Sequence, residues 1–204
     1  MHDTVSHIDF AKDLDHLDWA LSHIPLGAPH RVAVDVGAHN GVYAAHLARD
    51  FVRVYAFEPA ADMFEILSHR VATLHNVEVS RAALLDRSGF GSITEDEKRK
   101  GKTRARYVLP GVGNVPVTTL DAIVAEDFAD VDFLKVDVEG AEELVLRGGE
   151  ALLRRCRPVV MIERLKNLPL RHYGLSPDGA GCYLESLGAS KVDTFDQDVV
   201  YAWR

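Results

Sequence analysis

Two short constellations in the 204-residue chain combine glycines with charged side chains in patterns suited to chemistry. The first is Asp35-Val-Gly37-Ala-His39-Asn40-Gly41, which follows a β-branched run, with Glu58 placed 23 residues after Asp35 and followed by Pro59. Gly37 lets the backbone turn sharply and approach a ligand with no Cβ in the way. An acid about 20 residues beyond such a turn, at the end of the next strand, is placed to grip a ribose diol. A dinucleotide site would show G-x-G-x-x-G and leave a helix N-terminus clear for pyrophosphate. Here the spacing is G-x-x-x-G with an aspartate just before it. That carboxylate repels pyrophosphate and attracts an ammonium, so the charges favour S-adenosylmethionine over NAD. The plainer alternative is a simple turn flanked by solvated acids, but the two motifs on consecutive strand ends favour the cofactor.

The second constellation is Lys135-Val-Asp137-Val-Glu139-Gly140-Ala-Glu142. Strand alternation puts Lys135 and Asp137 on one face. A lysine within an apolar strand is costly unless paired, so a carboxylate partner is expected. Asp137 and Glu139 should overhang the same rim as Asp35. A structural brace and a direct catalytic role are both open for these residues.

The elements that must position them alternate. Strands are expected at 31–36, 52–57, 77–84, 131–137 and 158–163. Helices are expected at 3–23, 41–50, 61–74, 119–125, 141–155 and 175–187. Pro25, Gly27 and Pro29 separate the first helix from the first strand. Alternating strands and helices with short connections predict an α/β fold, a mostly parallel doubly wound sheet with right-handed crossovers. Residues 191–195 and 199–203, around Asp196-Gln-Asp198, predict a C-terminal antiparallel hairpin. The glycine-rich, proline-containing stretch 88–117 has no helical period and reads as a long loop or irregular hairpin. With no repeat or low-complexity linker, 1–204 is expected to be one domain, with 1–29 as helix and lead-in.

Composition narrows the function classes. At 47% hydrophobic and 26% charged, the chain is globular rather than disordered. A net charge of −8 disfavours a nucleic-acid partner. The local exception is the run Lys98, Arg99, Lys100, Lys102, Arg104, Arg106. It reads as a solvated loop, or as recognition of an acidic, carrier-linked acceptor at the pocket mouth. Two cysteines, Cys156 and Cys182, make neither a disulfide framework nor a zinc motif. The first residues carry acids and histidines where a signal peptide needs a basic start, and no apolar run would span a bilayer. A cytoplasmic protein without membrane partners is expected.

AVDVGAHNGVYAAHLAR, VYAFEPAADMFEIL, VEVSRAALLDRSG, TTLDAI, FLKVDVEGAEELVLRGG and PVVMIE occur in this order. Together they resemble the FkbM family of S-adenosylmethionine-dependent methyltransferases over about residues 30–165, most specifically at KVDVEGAE. The resemblance implies a Rossmann-like class I methyltransferase sheet. It implies that Asp35, Gly37 and His39, with Asn40 in the same turn and Asp137 at the facing rim, line the methionine end. Glu58 would hold the ribose, and Arg81, Ala82 and Ala83 would border the adenine. The family implies O-methylation of a hydroxyl on a small molecule, sugar or natural-product intermediate. N-methylation of an amide or amine is the alternative, and an inactive nucleotide-binding module is the reading from another class. A homodimer is compatible with all of these.

Methyl transfer is an in-line displacement at a sulfonium, and a hydroxyl acceptor must also lose its proton. Asp137, Glu139 and His172 are the candidate catalytic bases, with His39 nearer the cofactor. A divalent ion on Asp137, Glu139 and Glu163 is a minor option that the spacing does not demand.

Overall fold

The run Val-Ala-Val-Asp-Val becomes a central strand because both its faces are covered. In the computed structural model, which describes residues 10–95, 106–124, 130–164 and 168–203, all five residues of β1 (Val32–Val36) are buried. β2 (Arg53–Phe57) and β3 (Val77–Ser80) pair parallel on one side of it. On the other side follow β8 (Val131–Val136), β9 (Val159–Glu163), and the hairpin of β10 (Ser190–Phe195) and β11 (Asp198–Ala202). The sheet order is β10-β11-β9-β8-β1-β2-β3, with β11 antiparallel to β9. The strand order reverses beside β1, which puts a crevice at the carboxyl ends of β1 and β8.

One face carries α1 (Phe10–Leu21), α2 (Val42–Leu47) and α3 (Ala61–Val71), packing Leu17, Leu47 and Leu67 over Ala33, Phe133 and Met161. The other face carries α4 (Leu120–Val124), α5 (Glu142–Arg147), α6 (Glu150–Cys156) and α8 (Gly179–Ser186). There Leu120, Leu146, Leu153 and Leu184 cover Val34, Leu134 and Val160. Between β9 and α8 lies α7 (Leu168–Tyr173), which was not expected from the sequence.

Three expected elements are corrected. The strand at 77–84 is two strands: β3 ends at Ser80, and β4 (Ala83–Leu84) joins a second sheet. β2 ends at Phe57, so the chain beyond Ser80 has no partner in the large sheet and pairs elsewhere. The stretch 88–117, expected as a long loop or an irregular hairpin, is strand rather than loop where it is described, with its first two strands antiparallel as in a hairpin. It supplies β5 (Gly89–Glu95), β6 (Arg106–Pro110) and β7 (Val115–Thr118), ordered β4-β7-β5-β6. Gly91 and Gly113 serve close backbone approach: a Cβ on Gly113 would meet the Gly91 carbonyl oxygen at 1.9 Å. The helix at 141–155 breaks at Gly148-Gly149, where a Cβ on Gly148 would lie 2.1 Å from the Leu85 carbonyl oxygen. Asp121 restarts it as α6 by accepting hydrogen bonds from the Ala151 and Leu152 amides.

Residues 3–9 of the expected N-terminal helix lie outside the described residues. So do Lys98, Arg99, Lys100, Lys102 and Arg104 of the basic run.

Gly41 closes the turn between β1 and α2 with φ 81°, and a Cβ there would meet Leu67 Cδ1 at 2.6 Å. Gly41→Ala should lower unfolding free energy by roughly 1–3 kcal/mol, from left-handed strain plus overpacking against α3. Urea unfolding at wild-type stability would show that α2 and α3 part without cost.

Candidate active site

At the crevice, the expected partner of Lys135 is Asp35, directly across the β1–β8 pairing. The Lys135 ammonium lies 3.1 Å from Asp35 Oδ1 and 3.5 Å from Asp137 Oδ2, and donates to the Gly37 carbonyl at 3.1 Å. It also sits 5.0 Å from the centre of the Tyr43 ring. Burial works against the ammonium, but Asp35 and Asp137 outweigh it and hold Lys135 above the ordinary lysine value. Asp35 has no exposed surface, and burial raises its proton affinity against the pull of Lys135. Neither Asp35 oxygen receives a well-directed hydrogen bond among the described residues, so the 3.1 Å contact is an ion pair without hydrogen-bond geometry. Asp137 is the member of the cluster that reaches the crevice, with its side chain 40% exposed.

Two loops meet above this cluster. In the first, Gly37, His39 and Gly41 all have positive φ. Glu58 ties the loop down: its Oε2 accepts from the His39 amide at 2.9 Å and its Oε1 from the Ala60 amide at 2.8 Å. The second loop runs from Asp137 to Ala141, with Glu139 and Gly140 at positive φ. Glu142 Oε1 accepts there from the Val138 and Gly140 amides at 3.2 and 3.0 Å. The loops abut, since a Cβ on Gly37 would lie 1.8 Å from the Asp137 carbonyl oxygen. Burial raises both glutamates above the usual carboxylate range, Glu142 to about 7.

His172 comes to the second loop from α7. Its Nδ1 lies 3.3 Å from the Glu139 carbonyl oxygen, and its ring stacks on Tyr107 of β6 at 3.7 Å between centroids. The candidate bases Asp137, Glu139 and His172 therefore gather around one loop. Arg81 and Ala82 follow β3, where the Ser80 carbonyl accepts from the Glu58 amide, so that turn and Ala83 stand next to the Glu58 loop. Asn40 caps locally through Val42 N at 3.4 Å, and its carbonyl accepts from Arg70. Arg106, the described member of the basic run, is held by both oxygens of Asp62 at the start of α3.

Sequence reasoning gave no role to Glu142, Asp198, His16 or Tyr43. Glu142 stands in the quoted KVDVEGAE, and its spacing to Gly140 is the one signal that could have marked it. His16 Nδ1 lies 2.5 Å from Asp198 Oδ2 across 182 residues, a contact that no local pattern announces. Beyond the second loop, a cavity of about 380 Å³ is bordered by Glu142, Glu163, Pro169, Ser176 and Tyr201. Among the described residues, no group of three or more His, Cys, Asp or Glu side chains forms a metal-binding set. No described helix is long and apolar enough to cross a membrane. Chemically, the described residues of the crevice offer several carboxylates around the Lys135 ammonium, exposed loop backbone, and proton acceptors on one rim.

Comparison with known proteins agrees with this geometry. The model of the methyltransferase FkbM domain matches residues 35–172. Methyltransferase sdnD of Sordaria araneosa is 28% identical over a 152-residue alignment covering 56% of this chain. The match spans 59% of that relative's length. Among solved structures, methyltransferase FkbM from Methylobacillus flagellatus KT superposes with a TM-score of 0.56 at 17% identity. It covers 86% of this chain and 44% of that one. Aeropyrum pernix fibrillarin, solved with S-adenosyl-L-methionine bound, gives 0.52 at 16% identity, covering 91% and 72%. N-methyltransferase NodS from Bradyrhizobium japonicum WM9 gives 0.55 at 9%, covering 96% of each chain. At these identities the structures establish the shared class I methyltransferase fold.

Glu142 makes a pH-dependent contribution whose sign follows from its raised value. The folded carboxyl binds its proton more tightly than the unfolded one, so its stabilisation is complete below about pH 4 and is lost as pH rises through 7. The span is on the order of 3 kcal/mol. Glu142→Gln keeps an acceptor oxygen for the loop amides and removes the titration. Urea unfolding at pH 5 and pH 8 should show a flatter pH dependence for the variant, and an unchanged slope would rule the assignment out.

Proposed function

This chain belongs to the FkbM family of S-adenosylmethionine-dependent methyltransferases, and we propose that it methylates a hydroxyl oxygen of a small-molecule, sugar or natural-product acceptor. The observation carrying the oxygen reading is the gathering of Asp137, Glu139 and His172 around one loop at the crevice. A neutral amine offers its lone pair directly, whereas a hydroxyl must shed a proton, so a rim rich in proton acceptors suits oxygen.

The residues fit the cofactor. Carboxylates outnumber the one buried ammonium, which suits a ligand carrying a sulfonium and an ammonium. The turn 37–41, bare of a side chain at Gly37, and the side chain of Asp137 would line the methionine end. Asp35 would act from beneath, through Lys135. Glu58 would meet the ribose while holding the His39 amide, and Arg81, Ala82 and Ala83 would border the adenine. When bound, the cofactor supplies an electrophilic methyl group. The protein's share is to align the acceptor, exclude water and take up its proton.

Calorimetry should detect S-adenosylmethionine or S-adenosylhomocysteine and little or no NAD, and equal affinity for NAD would overturn the reading. Because each Glu58 oxygen accepts from a different backbone amide, Glu58→Gln keeps one of these bonds and sets its NH2 against the other amide. It should weaken cofactor binding by about 1–3 kcal/mol.

A screen with labelled S-adenosylmethionine against hydroxyl- and amine-bearing acceptors tests the atom methylated. With an acceptor in hand, Asp137→Asn should lower kcat at saturating cofactor by roughly 10²-fold or more. Wild-type turnover would move the base to Glu139 or His172. Turnover of amines alone would remove the oxygen assignment.

A further inference from the structure

The register of three neighbouring strands sets carboxyl groups in a row. Val136 is level with Ile162, and Ile162 with Val199. The next rung therefore holds Asp137, Glu163 and Asp198, and the Glu163–Asp198 pairing is direct. Adjacent strands lie about 4.8 Å apart. Glu163 stands next to Asp137 on the β8–β9 register, and Asp198 Oδ2 meets Nδ1 of His16 from α1. Lys135 stands beside Asp137 with Asp35 behind it. Glu139 acts on Glu163 from the second loop. Asp196 lies 3.6 Å from Nε2 of His16. Arg164, next in sequence to Glu163, is engaged by Asp178. A carboxyl–carboxyl hydrogen bond requires a proton, because two carboxylates have no donor between them. Burial and the neighbouring Asp137, Glu139 and Asp198 hold that proton on Glu163 well above the usual carboxylate range.

We propose that Glu163 is a positioning residue that stores a proton against Asp137 and gives it up to solvent when a sulfonium settles beside the pair. This rests on the cofactor reading above, with the charged end of the cofactor at Asp137. The pair then carries two negative charges and stands ready for the acceptor. As the acceptor oxygen bonds to the methyl carbon, the carbon–sulfur bond breaks and its electron pair stays on sulfur. The hydroxyl proton passes to the Asp137–Glu163 pair. A positive charge on sulfur is thereby exchanged for a proton on the carboxyls, and the net charge of the site is unchanged. Release of neutral-sulfur product leaves the pair as it began, with one shared proton.

The test needs no acceptor. S-adenosylmethionine and S-adenosylhomocysteine share an ammonium and differ in the sulfonium, so their proton counts isolate its effect. Calorimetric titration of each near pH 7, in buffers of different ionisation enthalpy, should show up to about one more proton released with S-adenosylmethionine. Glu163→Gln should abolish the difference while binding both ligands within a few-fold. In the wild-type protein, the infrared difference spectrum between the two complexes should show loss of a carboxylic-acid C=O band with S-adenosylmethionine. That spectrum and the wild-type proton counts decide the matter even if the variant does not fold. Equal proton counts alongside normal binding of both ligands would overturn the inference and leave the cofactor reading standing, as would a difference that survives in Glu163→Gln. Absence of any binding heat would overturn both.

Discussion

The buried ammonium of Lys135 is the contact on which the rest of the site depends. It joins the carboxyl ends of β1 and β8 through Asp35, the Gly37 carbonyl and Asp137. A fully buried Asp35 is tolerable because Lys135 lies 3.1 Å away, and a buried lysine is tolerable because two carboxylates surround it. Removing either partner would strand the other's charge in a low-dielectric interior. The same contact draws the Gly37 turn against the Asp137 carbonyl, where only a residue without Cβ fits. A charge pair inside the sheet thus sets the spacing of the two loops above it.

Those loops share one construction. Each bends through positive φ at a non-glycine residue, His39 in one and Glu139 in the other. Each is held by a glutamate that accepts two backbone amides. Strained backbone persists where the surroundings over-determine it, and such bends concentrate at functional sites. Both glutamates bind a proton more tightly than usual because they are buried, so holding the loops and titrating are properties of the same side chains. The loops are also linked to the second sheet. Tyr173 donates to the Val108 carbonyl, and Tyr107 stacks on His172, which borders Glu139. Arg106 and Asp62 join that sheet to α3.

Much of the large sheet was legible because its signal is local. The apolar runs of β1, β2 and β8, each followed by a turn and a helical period, announce themselves within a few residues, as does the run of β9. So does the terminal hairpin, although its turn is tighter than the three polar residues suggest, with Phe195 and Asp198 paired across it. The glycine turn, Glu58 and the unpaired look of Lys135 were equally visible, since each is unusual in its own surroundings. The partner of Lys135 was expected as a carboxylate on chemical grounds, and it is Asp35.

What local sequence could not convey was decided by pairing between distant segments. Residues 77–84 look like one strand, and only the end of β2 makes the chain change sheets after Ser80. Gly91 and Gly113 look like loop residues because their purpose is close approach to backbone elsewhere. The break at Gly148 exists because Leu85 passes there. The row of Asp137, Glu163 and Asp198, and the reach of His16 to Asp198, arise from strand order and register. Residue types and their spacing determined that this chain carries a glycine turn, an acid at the end of the next strand and a charged strand end. Which carboxyls stand side by side was left to tertiary structure, because strand order and register set their distance and burial, and neither leaves a periodic trace in the chain.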